Sequence, residues 1–182
     1  MRKPVLAVVV VLMLAVVSLG HAQMQKNQLN LGLKVGYYWG IGVALGGEYV
    51  FMEIPKVGFI GAGGEIGFGG RKVTWPDYMG GEYGWSYTYV PIIVYGSFHY
   101  PFRSVPKLVP YAKLGFGVEI VSAKATGTYA GTWASSDGTG FAFFSQLGIR
   151  YAVLPMLWVV GAVGYPFYVM TGIDFTLNLG GH

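Results

Sequence analysis

Alternation with a period of two runs through most of this chain. In VPYAKLGFGVEIV, Val109 to Val121, every second residue from Ala112 is apolar: Ala112, Leu114, Phe116, Val118 and Ile120. The other register holds Tyr111, Lys113, Gly115, Gly117, Glu119 and Val121. Successive side chains of a strand point to opposite faces, so this stretch predicts a strand with two unlike faces. Leu29, Leu31, Leu33, Val35 and Tyr37 likewise oppose Asn30, Gly32, Lys34, Gly36 and Tyr38. Val43, Leu45, Tyr49 and Phe51 oppose Ala44, Gly46 and Glu48; Ile60, Ala62, Ile66 and Phe68 oppose Gly63, Glu65, Gly67 and Arg71. Phe143, Leu147, Ile149 and Tyr151 oppose Gln146, Gly148 and Arg150; Ile173, Phe175, Leu177 and Leu179 oppose Asp174, Thr176 and Asn178. The alternation blurs around Ile92–Phe98 and after Leu157.

Eight strands are predicted, over residues 29–39, 41–52, 57–74, 85–102, 109–124, 140–152, 157–169 and 172–179. Three proline marks punctuate them, at Pro55, Pro106 and Pro155, spaced 51 and 49 residues apart. Proline gives a ladder no donor and presets φ for a turn, so the marks predict three equivalent tight turns at one end. The links between them are of another kind, rich in Gly, Ser and Asp: residues 76–84 and 126–140. Short turns and longer loops therefore alternate, and each kind gathers at its own end.

The polar face decides which side is inside. It holds mostly glycine and isolated charges: Lys34, Arg71, Lys113 and Arg150 against Glu48, Glu65, Glu119 and Asp174. A watered face needs neither one acid per base nor so many residues without side chains. A narrow interior needs both, because long charged groups need room and each buried ion needs a partner. The large apolar face then points outward into hydrocarbon. Strands there must close on themselves, since lipid satisfies no free edge. The expected fold is all-β, an eight-stranded antiparallel up-and-down transmembrane β-barrel. The rival, a soluble lipocalin-like barrel with the apolar face inward, would carry a glycine-rich, charge-poor surface in water.

Composition supports the same side. Charged residues are 11% of the 182, against about a quarter in soluble domains. Met1-Arg2-Lys3, the apolar run from Val5 to Leu19, and the small residues Gly20 and Ala22 read as a signal peptide cleaved after Ala22. That leaves residues 23–182 as the barrel domain, with ten Lys/Arg against eight Asp/Glu. So slight an excess of positive charge speaks against nucleic acid as a partner. Without cysteine there is neither a disulfide nor a lipid-modified cysteine. The uncharged run Tyr151–Ile173 is long enough to cross a bilayer as a helix, but Pro155, Pro166, Gly161, Gly164 and Gly172 make that helix expensive.

VPIIVYGSFHYPF (Val90–Phe102), LVPYAKLGFGVEIV (Leu108–Val121) and SQLGIRYAVLPMLWVVGAVGYPF (Ser145–Phe167) carry a resemblance. With their aliphatic-Pro openings, Tyr-x-Phe strand end and alternating glycines, they resemble the small outer-membrane β-barrel proteins of Gram-negative bacteria, of the OmpA/OmpX type. The resemblance implies an outer-membrane location, periplasmic short turns and termini, and surroundings of outer-membrane lipid and lipopolysaccharide. It also implies delivery by the barrel-assembly machinery. Many members end on an aromatic residue, whereas this chain ends Leu177-Asn178-Leu179-Gly180-Gly181-His182, with Phe175 the nearest aromatic.

Candidate chemistry is sparse. Three scattered histidines and no cysteine make no metal constellation, and no cofactor motif is present: Gly67-Phe68-Gly69-Gly70 opens no helix. Ser97 and His99 share one strand face, and outer-membrane lipid A deacylases use a His/Ser pair. Here the order is Ser-x-His with no acid evident beside it, so the pair is expected to be ordinary lumen residues and the chain not to be an enzyme. The lumen charges are expected to form structural ion pairs that plug the barrel. The alternative is a small pore lined by Lys34, Glu48, Glu65 and Asp174. Trp75, Tyr78, Tyr83, Trp85, Tyr129 and Trp133 near the longer loops are candidate contacts for an extracellular ligand, or equally strand extensions and interface anchors.

Overall fold

A computed structural model describes residues 24–37, 40–76, 81–127 and 135–179. Eight strands follow in chain order: β1 (Gln28–Tyr37), β2 (Ile41–Ile54), β3 (Gly58–Pro76), β4 (Glu82–His99), β5 (Leu108–Gly127), β6 (Ser136–Leu154), β7 (Leu157–Tyr165) and β8 (Val169–Asn178). Each pairs antiparallel with the next, and β1 pairs with β8, so the sheet closes into a barrel. No helix among the described residues is long and apolar enough to cross a membrane.

The faces fall as the alternation predicts. Phe116 is 59% exposed and Leu147 65%, on the outer wall, while Lys113 is 5% exposed and Arg150 1%, on the inner wall. That arrangement excludes the lipocalin-like alternative, in which the aliphatic strip would fill the interior. The two blurred strands are also settled. Ile93, Tyr95, Ser97 and His99 of β4 point inward, as do Trp158, Val160 and Ala162 of β7. Their pattern blurs because apolar residues occupy both faces.

All three proline marks lie at one end of the barrel, together with the N-terminal segment and the end of β8. The turns there are not equivalent. β2–β3 and β6–β7 are joined by tight turns at Pro55 and Pro155, each next to a register shift, between Val50 and Met52 and between Ala152 and Leu154. Such bulges are frequent at barrel rims. Lys56, in the first of these turns, has φ 67°. The β4–β5 link is longer, Tyr100 to Lys107. Pro101 and Pro106 offer no donor there, yet Tyr100 N and Phe102 N still donate across the link to Pro110 O and Leu108 O at 2.9 and 3.4 Å, and Val105 N closes a turn on Phe102 O at 3.2 Å.

At the other end β3, β4, β5 and β6 run 18 to 20 residues, well beyond the roughly 9–11 that cross a bilayer. Their loop-side ends therefore stand clear of the hydrocarbon. Residues 136–139, expected to be loop, are strand, because Asp137 and Gly138 pair with Ser122 and Val121 of a strongly extended β5. β7 stops at Tyr165, short of the expected 169, and the next residues turn inward.

Candidate functional site

Seven of the eight strands each place one acidic or basic side chain at mid-lumen: Lys34 (β1), Glu48 (β2), Glu65 (β3), His99 (β4), Lys113 (β5), Arg150 (β6) and Asp174 (β8). β7 contributes Trp158 instead, whose ring lies 5.2 Å from the Arg150 guanidinium. Three carboxylates thus face three fixed cations, with His99 beside them. Lys34 and Glu65 form one ion pair. Glu48 is the hub of the rest: its carboxylate lies 2.7 Å from Lys113 Nζ, 2.6 Å from His99 Nε2 and 4.0 Å from an Arg150 nitrogen. Arg150 in turn lies 3.2 Å from Asp174 Oδ2. Lys113 also donates to Tyr95 Oη at 3.1 Å, its ammonium 4.3 Å from that ring centre.

Neutral groups extend this network toward the short-turn end. Asn30 Nδ2 donates to Glu48 at 3.4 Å, and Asn30 Oδ1 accepts from Gln28 at 2.6 Å and from Thr176 at 2.8 Å. Gln28, Asn30 and Thr176 share the i±2 register of Lys34 and Asp174, and that register was the signal available for them. Tyr95 lay on a blurred strand and gave none. Glycine makes the room: a Cβ on Gly32 would collide with the Asp174 carboxylate. The void left among Asn30, Gly32, Lys34, Gly46, Glu48, Tyr95, Lys113 and Asp174 is about 10 Å³, the size of roughly one water site.

Apolar layers lie on both sides of the charges. Toward the short turns are Met24, Val50, Phe59, Val109, Ala152 and Trp158. Toward the loops are Ala44, Tyr89, Ala162, Phe167 and Met170, which cluster with Tyr111 beside His99. Phe167 belongs to the β7–β8 link, yet it is 1% exposed. Its ring fills space left by missing side chains: a Cβ on Gly36 would lie 2.9 Å from it and one on Gly42 2.5 Å.

Two of the eight expected network members lie apart from it. Arg71 and Glu119 share the inward register but sit higher, where the long strands rise past Phe167. Glu119 accepts from Tyr165 Oη at 3.3 Å. With Val73, Trp75, Tyr87, Tyr89 and Val121 these two line a mouth cavity of about 510 Å³. Trp75 stacks on Tyr83 with ring centres 5.6 Å apart, and Trp85 on Tyr87 at 6.5 Å. Trp75, Tyr83 and Trp85 thus belong to the inner wall of the strand extensions. Tyr78, Tyr129 and Trp133 lie outside the described residues.

Ser97 and His99 do share an inward face, but the expectation that no acid neighbours them is corrected: Glu48 holds His99 Nε2. Ser97 Oγ and His99 Nδ1 make no hydrogen bond among the described residues, and Ser97 is 5% exposed. Among the described residues no group of three or more metal-ligating side chains forms.

No protein-family model and no curated protein matches the chain. Solved structures do. A de novo designed transmembrane β-barrel matches with TM-score 0.50 and 20% identity, over 85% of this chain and 99% of the designed one. Ail, the attachment invasion locus protein of Yersinia pestis in complex with the heparin analogue sucrose octasulfate, matches with TM-score 0.52 and 12% identity, over 84% of this chain and 100% of Ail. The N-terminal β-barrel domain of Pseudomonas aeruginosa OprF matches with TM-score 0.50 and 12% identity, over 85% and 100%. At such identities the likeness is one of fold. The chain has the eight-stranded transmembrane β-barrel fold of the small outer-membrane proteins.

Proposed function

We propose that this OmpA/OmpX-type barrel sits in the outer membrane of a Gram-negative bacterium, after removal of residues 1–22, and serves a structural or surface-interaction role. The observation that carries the proposal is the buried charge network of the lumen. Three carboxylates and three fixed cations lie between two apolar layers, and the void among them is about 10 Å³. Such a plug would leave a hydrated ion no continuous path. The inward aromatic wall above it, around the 510 Å³ cavity, is where an extracellular ligand would meet the barrel. Short turns and termini then face the periplasm, as in barrels of this kind, with outer-membrane lipid and lipopolysaccharide around the wall. The barrel-assembly machinery is the expected route of insertion, and nucleic acid is not a partner.

Planar-bilayer recording tests the plug, with no conductance steps expected from the purified barrel. Sustained steps would favour the alternative, a narrow channel through the polar mid-lumen. The non-enzymatic part has its own test. Ser97→Ala should leave unchanged any lipid A deacylation measured with the purified protein, and loss of such an activity would restore the enzyme alternative.

A further inference from the structure

The outer walls of β3, β4 and β5 carry a graded set of side chains toward the loop end. Register places Ile66, Ile92 and Val118 in one row across the three strands. Two rows further on come Gly70, Thr88 and Ser122, and then Lys72, Ser86 and Lys124. Hydrocarbon, hydroxyls and ammonium groups thus follow one another along a single wall. Lys72 and Lys124 are exposed, and neither forms an ion pair among the described residues. They flank Ser86 from the two neighbouring strands, which puts their backbones roughly 10 Å apart, twice the interstrand spacing. Their flexible stems can bring both ammonium groups over one anion at Ser86.

We propose that Lys72, Ser86 and Lys124 bind the phosphate of a lipid headgroup in the outer leaflet. The inference rests on the outer-membrane placement proposed above. Direction identifies the ligand. These side chains point sideways from the wall, away from both the lumen and the mouth, so whatever they bind lies in the membrane plane. Height agrees. The Val90–Ile120 pair is the last apolar row before Thr88 and Ser122, and for strands tilted by about 40° the lysine row stands roughly 10 Å above it, which puts it at headgroup level. Charge agrees as well, because two cations on either side of a hydroxyl suit a net-anionic head, whose phosphate oxygens have no ammonium of their own, better than a zwitterionic one. One carboxylate competes: Asp137 pairs with Ser122 on the same face, diagonal to Lys124.

The test is native mass spectrometry of the folded barrel released from detergent, titrated with phosphatidic acid or with phosphatidylcholine of the same acyl chains. The wild type should retain phosphatidic acid in preference. Lys72→Gln with Lys124→Gln should weaken that binding roughly thirtyfold, from the worth of two lysines at an anionic surface. Asp137→Asn should strengthen it, and Lys26→Gln with Lys107→Gln at the opposite end should leave it unchanged. Equal weakening by the two lysine pairs would overturn the site, as would the absence of any preference for phosphatidic acid. Displacement of the lipid by equimolar inorganic phosphate would mark a free-anion site and overturn the lipid assignment. A heat-modifiability gel keeps the two claims apart. A wild type that gives no folded band in lipid vesicles refutes the membrane placement itself.

Discussion

Replacing Glu48 by glutamine removes one charge from the centre of the lumen and leaves the shape nearly unchanged. Among the described residues Glu48 is the single carboxylate paired with Lys113, at 2.7 Å, and it also holds His99 at 2.6 Å and faces Arg150 at 4.0 Å. At an effective dielectric constant of about 20, a pair at this distance attracts by roughly 6 kcal/mol before desolvation is counted. Burying both ions offsets much of that. What the substitution exposes is the remainder: a lysine and an arginine, 5% and 1% exposed, without their shared anion. Breaking a buried pair from one side costs about 3–5 kcal/mol. The introduced amide can still accept a hydrogen bond, so the lower half of that range is expected. Adding Lys113→Met should recover at least half of the loss, because it removes the stranded cation and places an apolar chain of similar length against Tyr95. Urea titration in lipid vesicles, read by tryptophan fluorescence and gel mobility, measures both variants. A loss below about 1 kcal/mol for Glu48→Gln, with no recovery in the double variant, would mean that water already screens the lumen. The plugged-barrel proposal would then fail.

Phe116→Arg puts a charge into lipid near the middle of β5 and should cost on the order of 2–4 kcal/mol in the same titration; a harmless substitution would contradict the outward assignment of that face. Cysteine placed at Ser136 should react with an impermeant maleimide on intact cells, while cysteine at Lys107 should not, and the opposite labelling would invert the topology. Gly42→Val should cost about 1–3 kcal/mol through overpacking, since its Cβ would meet the Phe167 ring. Phe167→Ala in that background should return part of the loss, and additive losses by urea titration would show that Phe167 does not occupy the lumen.

The sequence by itself determined the fold class and the sense of its two faces. Period two is a backbone property, so Ala112 to Ile120 had to share one side whatever the partners were. A nearly balanced, glycine-padded polar side could only be an interior. It also determined the grouping of short turns, because proline acts locally through φ and its missing donor. Tertiary structure decided the rest. Glu48 meets Lys113 and His99, 65 and 51 residues away, only because closure and register bring β2 opposite β4 and β5, and neither closure nor register is written in a local pattern. Strand length decided that Arg71 and Glu119 stand above the network: they share its parity but not its height, and parity is all that alternation reports. Phe167 turns inward because Gly36, Gly42 and Gly67 leave a hollow there, assembled from three strands. Its own neighbours in sequence carry no trace of it.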